Sequence, residues 1–228
     1  MNEIHPTAVI AGDVLLGDGN YIGPFAVITG PTSIGDGNWI GAGVVIGAPP
    51  EIRSFAHPRS ASVADAPAGV AIGSRNVIRE YAQIHQGHIA TTTLGDDGFI
   101  MNQVYVAHDG RLGDRVTLAS SVLLAGHVTV GDGANLGMGA TVHQFRTVGA
   151  GAMVGMSSVV THDIPPFSLV FGSPARVRGA NRVGLQRAGV PDSAVEACDS
   201  SYVSGEPFHA GRWTLPEAVA RAFAPVPQ

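Results

Sequence analysis

Aliphatic residues stand at every sixth position along most of this chain, and that period constrains the fold more than any other feature. The six-residue spacing holds without a change of phase for eight aliphatic residues over 4–46, three over 72–84 and twelve over 94–160. An α-helix repeats its apolar residues every three to four positions, so a bundle of helices is excluded. The period indicates short strands joined by tight corners, with one aliphatic side chain of each strand turned inward.

Three hexads complete one triangular coil, and stacked coils pair strand on strand in parallel. The twenty-three hexads therefore predict an all-β solenoid, a parallel β-helix of nearly eight coils, roughly 35 Å long at ~4.8 Å per coil. Glycine often follows the inward aliphatic residue, where a tight corner favours it. The period leaves the handedness open, although parallel crossovers are nearly always right-handed.

The hexad period is interrupted twice and then ends. The first interruption is a loop rich in Pro, Ser and Ala near 49–71, which could contain a partial coil, and the second adds four residues near 86–93. We expect the β-helix to occupy 1–172 and a short α-helical C-terminal region, 173–228, to cap its open end. Within that region, Ser193 and Glu196 predict the capping box of a helix.

Composition excludes several classes of function. The chain contains no lysine, whereas a Walker-type phosphate loop and a pyridoxal Schiff base both need one. A formal net charge of −5 argues against nucleic acid as the main partner. The lone Cys198 allows neither an internal disulfide nor a cysteine-built zinc site. With no secretory signal and no long apolar stretch in view, we expect a cytoplasmic protein without membrane insertion.

Five of the nine histidines follow hexads that belong to one wall of the predicted solenoid. They are His85, His108, His127, His143 and His162. Their hexads begin 18 residues apart, except for the first interval, which contains the four-residue insertion. Neighbours on such a wall stand about 5 Å apart. Their positions within the hexad differ, so we do not expect all five to project in the same direction.

A histidine on a solenoid can also be an ordinary solvated corner residue. The shared wall favours a functional role for His108, His127 and His143. For His85 the sequence does not decide between the two roles. The position of His162, beside the prolines that end the repeat, favours a structural role. Because residues strung along a column diverge, we expect no metal site and no cofactor.

Asp109 directly follows His108, and a carboxylate partner would orient the imidazole and stabilise its protonated form. Adjacent side chains of a straight strand point to opposite faces. The two residues can therefore form a dyad only if the chain turns a corner here. Otherwise Asp109 is a solvated corner residue.

Seven segments in this order, IHPTAVI, IGPFAVI, IREYAQIHQG, VAHDG, LLAGHVTVGD, GMGATVHQF and NRVGLQRAG, resemble the UDP-N-acetylglucosamine acyltransferase family of lipid A synthesis. The resemblance covers roughly residues 3–190. It implies a cytoplasmic homotrimer of left-handed β-helices with active sites between subunits. The implied reaction moves a 3-hydroxyacyl group from an acyl carrier protein thioester to the 3-hydroxyl of a UDP-N-acetylglucosamine-type sugar.

The resemblance also implies roles for individual residues. His108 would be the general base, Asp109 its partner and the backbone amide of Gly126 the oxyanion donor. The implied substrate-positioning residues are His85, His127, His143 and Gln144, and the implied contacts to nucleotide or carrier are Asn181 and Arg187. Four arginines lie within twelve residues of the same C-terminal stretch: Arg176, Arg178, Arg182 and Arg187. They could bind an acidic carrier or a diphosphate. The alternative is an ordinary solvated surface.

The chain departs from the family pattern mainly where the acceptor would bind. Tyr105 stands where the family has a histidine, Val183 where it has a glutamate and Gln186 where it has a basic residue. The loop PPEIRSF also lacks the family's lysine. These departures leave the sugar open. The alternative is an N-acyl- or acetyltransferase that uses coenzyme A on another nucleotide amino sugar, and a catalytically silent scaffold is a third possibility.

Met156 stands where relatives that favour long acyl chains carry glycine, on a different wall from the histidines. It could line the same cleft only if a neighbouring subunit presents that wall. A methionine there would displace about four methylenes at ~0.8 kcal/mol each, which predicts a donor of roughly ten carbons. The alternative is ordinary gap-filling at an interface.

Overall fold

The chain folds into a left-handed parallel β-helix, described here from a computed structural model that covers residues 1–55 and 68–224. Each of the twenty-three hexads forms one short strand. The first run gives β1 (Glu3–Ile4), β2 (Val9–Ala11), β3 (Val14–Leu16), β4 (Tyr21–Ile22), β5 (Val27–Thr29), β6 (Thr32–Ile34), β7 (Trp39–Ile40) and β8 (Val45–Ala48). The second gives β9 (Val70–Ile72), β10 (Val77–Ile78) and β11 (Gln83–His85).

The third run of hexads continues the same coils without interruption. Its strands are β12 (Thr92–Leu94), β13 (Phe99–Ile100), β14 (Tyr105–Val106), β15 (Arg111–Leu112), β16 (Thr117–Leu118), β17 (Leu123–Leu124), β18 (Thr129–Val130), β19 (Asn135–Leu136), β20 (Thr141–Val142), β21 (Thr147–Val148), β22 (Met153–Val154) and β23 (Val159–Val160).

Three parallel sheets form the walls of the prism, each taking every third strand. Wall A is β1-β4-β7-β10-β13-β16-β19-β22, wall B is β2-β5-β8-β11-β14-β17-β20-β23, and wall C is β3-β6-β9-β12-β15-β18-β21. The inward aliphatic residues fill the interior, and most of them, such as Ile22, Ile100 and Leu136, are fully buried. Ile4 and Ile10 of the first coil are 43% and 36% exposed, because the described residues stack only one further coil against them.

Neighbouring coils keep their aliphatic residues side by side, and the register locates both insertions. Ile4 pairs with Ile22, the regular spacing of one coil. Ile34 of β6 pairs with Ile72 of β9, 38 residues later, so the first insertion lies within this coil, between β8 and β9. The strand β9 follows β8 in the coil as it would if the insertion were absent. The strands β7, β8 and β9 therefore form one coil, and residues 56–67 of the expected loop, where a partial coil was possible, lie outside the described residues. The four extra residues of the second insertion lie between β11 and β12.

Inside the prism, a ladder of asparagines replaces aliphatic residues at one corner. Asn38 donates its backbone and side-chain N–H groups to Asn20 Oδ1 at 2.8 and 3.0 Å. Asn76 repeats the arrangement on Asn38 Oδ1 at 2.9 and 3.0 Å. These buried amides are tolerated because each pairs with the coil above or below it.

Two strands that the sequence did not predict lie on either side of the expected boundary after residue 172. β24 (Ser168–Phe171) extends wall A in parallel with β22, and β25 (Arg176–Ala180) pairs with β24 in antiparallel fashion. The first helix therefore begins later than the expected boundary after residue 172. The helical elements are α1 (Arg182–Arg187), α2 (Asp192–Ser204), a 3₁₀ turn (Ala210–Arg212) and α3 (Glu217–Ala222).

The predicted capping box of α2 is wrong. The helix begins after Pro191, which caps it without a side-chain hydrogen bond, so Ser193 lies inside the first turn. Glu196 instead pairs with Arg182 of α1, with Oε2 and Nη1 2.9 Å apart. Cys198 faces the apolar contact between α2 and the rest of the cap, where burial raises the pKa of its thiol to about 12. Within the described ranges, no helix is long and apolar enough to cross a membrane.

Candidate active site

All five histidines of the predicted column lie at the end of a wall B strand or in the corner that follows it, as their spacing indicates. The strands that precede them are consecutive neighbours in that sheet: β11, β14, β17, β20 and β23. The structure does not bring all five to one point. It gathers two of them, with Asp109, and leaves the others in separate surroundings.

Two stacked corner positions explain which histidines meet. Successive coils repeat one corner position in His108, Gly126 and Gln144 and the following one in Asp109, His127 and Phe145. The residues of the second set share a left-handed backbone, with φ of 60°, 61° and 60°. Because Gly126 has no side chain, the His108 ring lies over it, and a Cβ on Gly126 would be 2.6 Å from His108 Cε1. The ring therefore reaches His127 of the next coil, with ring centroids 5.2 Å apart.

His108 and Asp109 form the hydrogen-bonded dyad that the sequence made conditional on a corner. His108 Nδ1 lies 2.7 Å from Asp109 Oδ2, because the left-handed backbone at Asp109 turns both side chains to the same side. The Asp109 side chain is 1% exposed and that of His108 15% exposed. In the part of the chain that is described, the backbone N–H of Gly126 makes no hydrogen bond. The arrangement therefore combines the solvent-accessible imidazole of His108 with the unpaired backbone N–H of Gly126.

The second Asp109 oxygen is held by backbone amides that sequence reasoning missed. Oδ1 accepts hydrogen bonds from the N–H groups of His88, Ile89 and Ala90 at 3.1, 2.8 and 2.6 Å. Burial alone would raise the pKa of Asp109, but the Ala90 and Ile89 amides and the His108 ring outweigh it, so the pKa lies below its usual range. The carboxylate therefore stays ionised. The only sequence signal was the four-residue insertion in which these amides lie.

His127 completes the cluster. Its Nε2 lies 3.6 Å from Asp109 Oδ2, and its ring stacks on Phe145 with centroids 4.5 Å apart. His108, Asp109 and His127 offer nitrogen and oxygen atoms within 4.8 Å of one another, so the expectation that the column diverges is wrong here.

This convergence does not match a metal site well. Two ligands of one tetrahedral zinc stand about 3.3 Å apart, given zinc–nitrogen bonds of about 2.0–2.1 Å. His108 Nδ1 and Asp109 Oδ2 are 2.7 Å apart, a hydrogen-bond distance, so a metal ion would have to break the dyad. The donor set suits a general base better than a metal ligand set.

His85 faces a different neighbour, the chain segment 49–55. Its Nδ1 lies 2.9 Å from the carbonyl oxygen of Pro49, and its ring centroid is 5.1 Å from that of Tyr105. The Tyr105 hydroxyl donates to the carboxylate of Glu51. Burial, followed by this contact, raises the pKa of Tyr105, so the phenol stays protonated. Tyr105, a departure from the family pattern, thus fastens this segment to wall B.

The other two histidines of the column, His143 and His162, are exposed, as is Gln144. His143 Nδ1 lies 3.2 Å from the carbonyl oxygen of Gln144, and His162 Nδ1 lies 3.0 Å from Thr161 Oγ1. These contacts are local and do not join the dyad.

Asn181 and Arg187 lie at opposite ends of α1. The Asn181 side chain caps the helix by accepting from Gly184 N at 3.0 Å, and it donates to the Gly151 carbonyl at 2.9 Å. Arg187 is exposed in the last turn. Arg182 is not a free cation, because it pairs with Glu196 and Asp199 of α2.

Met156 lies at a corner between walls A and B, away from the histidine corner. Its side chain is 68% exposed, and Met138 lies one coil before it at 54%. Two exposed methionines therefore follow one edge of the prism.

Comparisons with known proteins agree with this architecture. A family profile described as UDP-N-acetylglucosamine O-acyltransferase, domain 2, matches residues 163–220. The acyl-[acyl-carrier-protein]–UDP-N-acetylglucosamine O-acyltransferase of Burkholderia orbicola is 39% identical over 148 residues, which are 64% of this chain and 56% of that protein. The match thus spans little more than half the length of this curated relative.

Solved structures are similar over more of the chain. A UDP-N-acetylglucosamine acyltransferase from Campylobacter jejuni has a TM-score of 0.79 and 29% identity over 97% of this chain and 94% of its own. The Arabidopsis enzyme of the same description has a TM-score of 0.70 and 30% identity over 88% of this chain and 80% of its own.

Proposed function

Because the chain belongs to the UDP-N-acetylglucosamine acyltransferase family, we propose that it is an acyl carrier protein-dependent O-acyltransferase. It moves a 3-hydroxyacyl group from a carrier thioester to the 3-hydroxyl of a UDP-N-acetylglucosamine-type sugar. The observation that carries this proposal is the His108–Asp109 dyad packed against Gly126, whose amide is unpaired among the described residues. That combination supplies both needs of acyl transfer, a base and an oxyanion donor.

His108 acts as the general base. Its Nδ1 is engaged with Asp109, so Nε2 takes the proton of the acceptor hydroxyl as the sugar oxygen attacks the thioester carbonyl. The ionised Asp109 fixes the ring and stabilises the imidazolium that forms. When the carbon–sulfur bond breaks, His108 returns the proton to the leaving thiolate. The products are the O-acylated sugar and the free thiol of the carrier.

The tetrahedral intermediate carries a negative charge on the former carbonyl oxygen. We assign the Gly126 N–H as its donor, because the His108 ring packs against this glycine and its amide is unpaired in the described chain. A preorganised donor of this kind is worth about 2.7–4 kcal/mol of transition-state stabilisation.

Substrates are positioned by the side chains around the dyad. His127, held by Phe145 and Asp109, lies close enough to contact either substrate at the reacting centre. We also assign positioning roles to His85, His143 and Gln144, and nucleotide or carrier contacts to Asn181 and Arg187. Asn181 contributes by fixing the start of α1, which presents Arg187.

The C-terminal region, 173–228, is the proposed cap, and three of its exposed arginines are the proposed dock for the acidic carrier. Arg176, Arg178 and Arg187 are exposed and have no carboxylate partner among the residues described. Arg178 lies over the Phe171 ring at 5.4 Å, which presents its guanidinium to solvent. Three unpaired cations on one region suit an acidic protein or a diphosphate.

The active unit is a cytoplasmic homotrimer in this proposal. The side chains of His108 and His127 stay 15% and 26% exposed in the single chain, and the same chain exposes apolar side chains along the A–B edge and wall B. They include Leu123, Met138, Met156 and Val159. A neighbouring copy that covers them would complete the cleft and bring Met156 toward the dyad.

A direct assay separates this function from the alternative. Purified protein is incubated with UDP-N-acetylglucosamine and 3-hydroxyacyl carrier proteins of several lengths, and in parallel with acyl-coenzyme A and nucleotide amino sugars. Product masses are then measured. The proposal expects an ester on the first acceptor. Amide formation from coenzyme A alone would instead support the N-acyltransferase, and tight binding without product would support a silent scaffold.

A further inference from the structure

The corner between β11 and β12 differs from the corners that follow it on wall B. Two coils later, at the corner after β17, His127 donates its amide to the His108 carbonyl at 3.1 Å, a regular contact between coils. Asp109 holds the equivalent position one coil earlier, but its amide donates to Thr92 Oγ1 at 3.0 Å. The four-residue insertion has therefore replaced a backbone acceptor by the buried hydroxyl of Thr92.

The inserted residues turn three consecutive amides toward one oxygen. We call residues 86–91 the corner loop. The N–H groups of His88, Ile89 and Ala90 all donate to Asp109 Oδ1, which leaves Oδ2 for His108. Successive N–H groups around one anion form a nest that favours its ionised form.

The shape of the corner loop depends on Gly87. A Cβ at this position would lie 1.7 Å from the carbonyl oxygen of Ala90, so only glycine allows the chain to turn this tightly. The Gly87 amide also donates to the Gly69 carbonyl at 2.9 Å, which ties the loop to the preceding coil. Any larger residue at 87 must move the Ala90 peptide and, with it, the nest.

We propose that the corner loop is a positioning element for the reaction, which holds Asp109 so that Oδ2 points at His108, and that Gly87 and Thr92 are the residues on which this depends. The inference rests on the proposed function, in which His108 is the base. The other titratable groups that face the Asp109 carboxylate are His108 and His127, whereas the His88 ring packs against Phe55.

The primary test is Gly87→Ala in the full-length protein, with Gly211→Ala as the matched control because nothing lies within 4 Å of a Cβ at that position. We expect Gly87→Ala to lower kcat at least about tenfold, within the range of a general-base contribution, while each substrate KM changes less than about twofold. Gly211→Ala should behave as the wild type.

A background variant separates positioning from general damage. In an Asp109→Asn background, Gly87→Ala should cause no further loss of kcat, because the carboxylate that the corner loop positions is already absent. Additive losses would overturn the proposal. Thr92→Val should imitate Gly87→Ala, and Thr92→Ser should retain wild-type kcat, which gives a second route if Gly87→Ala does not fold.

A substrate-free measurement keeps the two proposals distinguishable. Carboxyl ¹³C NMR should show that Gly87→Ala or Thr92→Val raises the pKa of Asp109 toward its usual range of about 3.9. An unchanged pKa in both variants would overturn the positioning role. If the pKa rises but the wild type transfers no acyl group, the corner loop holds Asp109 as inferred and the proposed acyltransferase is wrong.

Discussion

His108 and Asp109 are neighbours in sequence, yet they can serve one site only because the backbone at Asp109 is left-handed, with φ of 60°. An extended residue would point its side chain to the opposite face. The sequence could predict the pair and its condition, a corner. It could not predict that His127 would also approach the His108–Asp109 pair. That contact depends on Gly126, which has no side chain to displace the His108 ring.

Gly126→Ala tests this packing directly. A Cβ 2.6 Å from His108 Cε1 must displace the ring while the Gly126 amide remains in place. We expect kcat to fall at least about tenfold, a loss within the general-base contribution. In a His108→Ala background the same change should have no further effect, because no ring remains to displace. A Gly126→Ala enzyme with wild-type kcat would mean that the ring can function elsewhere.

The depressed pKa of Asp109 predicts a pH-dependent stability. A carboxylate with a lower pKa in the folded state contributes stability above its unfolded value, about 3.9, and loses it as the pH falls through the folded value. The wild type should therefore exceed Asp109→Asn in Tm by a constant margin above about pH 5, and the margin should shrink below about pH 4. Thermal unfolding of both proteins across this range checks it. A margin that grows on acidification contradicts an ionised, amide-held Asp109.

At the scale of elements, the hexad period predicted every strand from β1 to β23. It missed β24 and β25, because the four- and five-residue strands after Pro165 and Pro166 carry no six-residue period and β25 runs antiparallel. It also missed what the insertions do. The corner loop acts through backbone N–H groups, which leave no side-chain signature, and Tyr105 could be recognised only as a departure from the family pattern.

Segment 49–55 should loosen when its link to wall B is removed. Tyr105→Phe deletes the hydroxyl that donates to Glu51 but keeps the ring beside His85. A net hydrogen bond is worth about 1 kcal/mol, which corresponds to roughly fivefold faster amide exchange. Hydrogen–deuterium exchange of the peptide that contains Ile52 and Phe55 measures this, with a peptide from β16 as the internal reference. Unchanged exchange would show that other contacts hold the segment.

At the scale of the whole molecule, the regular prism leaves the His108 cluster partly exposed and its A–B edge apolar, so the proposed active unit contains further copies of the chain. The proposed trimer has a mass of about 70 kDa, three times the 23.4 kDa of one chain. The hexads alone could not predict this assembly, since they describe contacts between coils of one chain. Analytical ultracentrifugation should give the trimer mass, and an active monomer would contradict the completed cleft.

In the proposed trimer, Met156 would link the assembly to acyl-chain length. It is 68% exposed in the single chain, so it could limit the length of the bound acyl chain only across a subunit interface. Met156→Gly should open space for about four methylenes, worth roughly 3 kcal/mol or a factor above 10² for a longer chain. Competition between medium and long 3-hydroxyacyl carrier proteins measures the change, with Met138→Gly as the control one coil away. A preference that stays near ten carbons would make Met156 an interface residue only.

Single-turnover kinetics of His108→Ala with the hydroxyl acceptor test whether His108 is the general base of an O-acyl transfer. We expect a loss of at least about 10²-fold in the rate of transfer, with the fold retained. His162→Ala, which changes an exposed histidine that follows a strand of the same wall, should leave the rate unchanged. Near-wild-type turnover by His108→Ala would exclude His108 as the base.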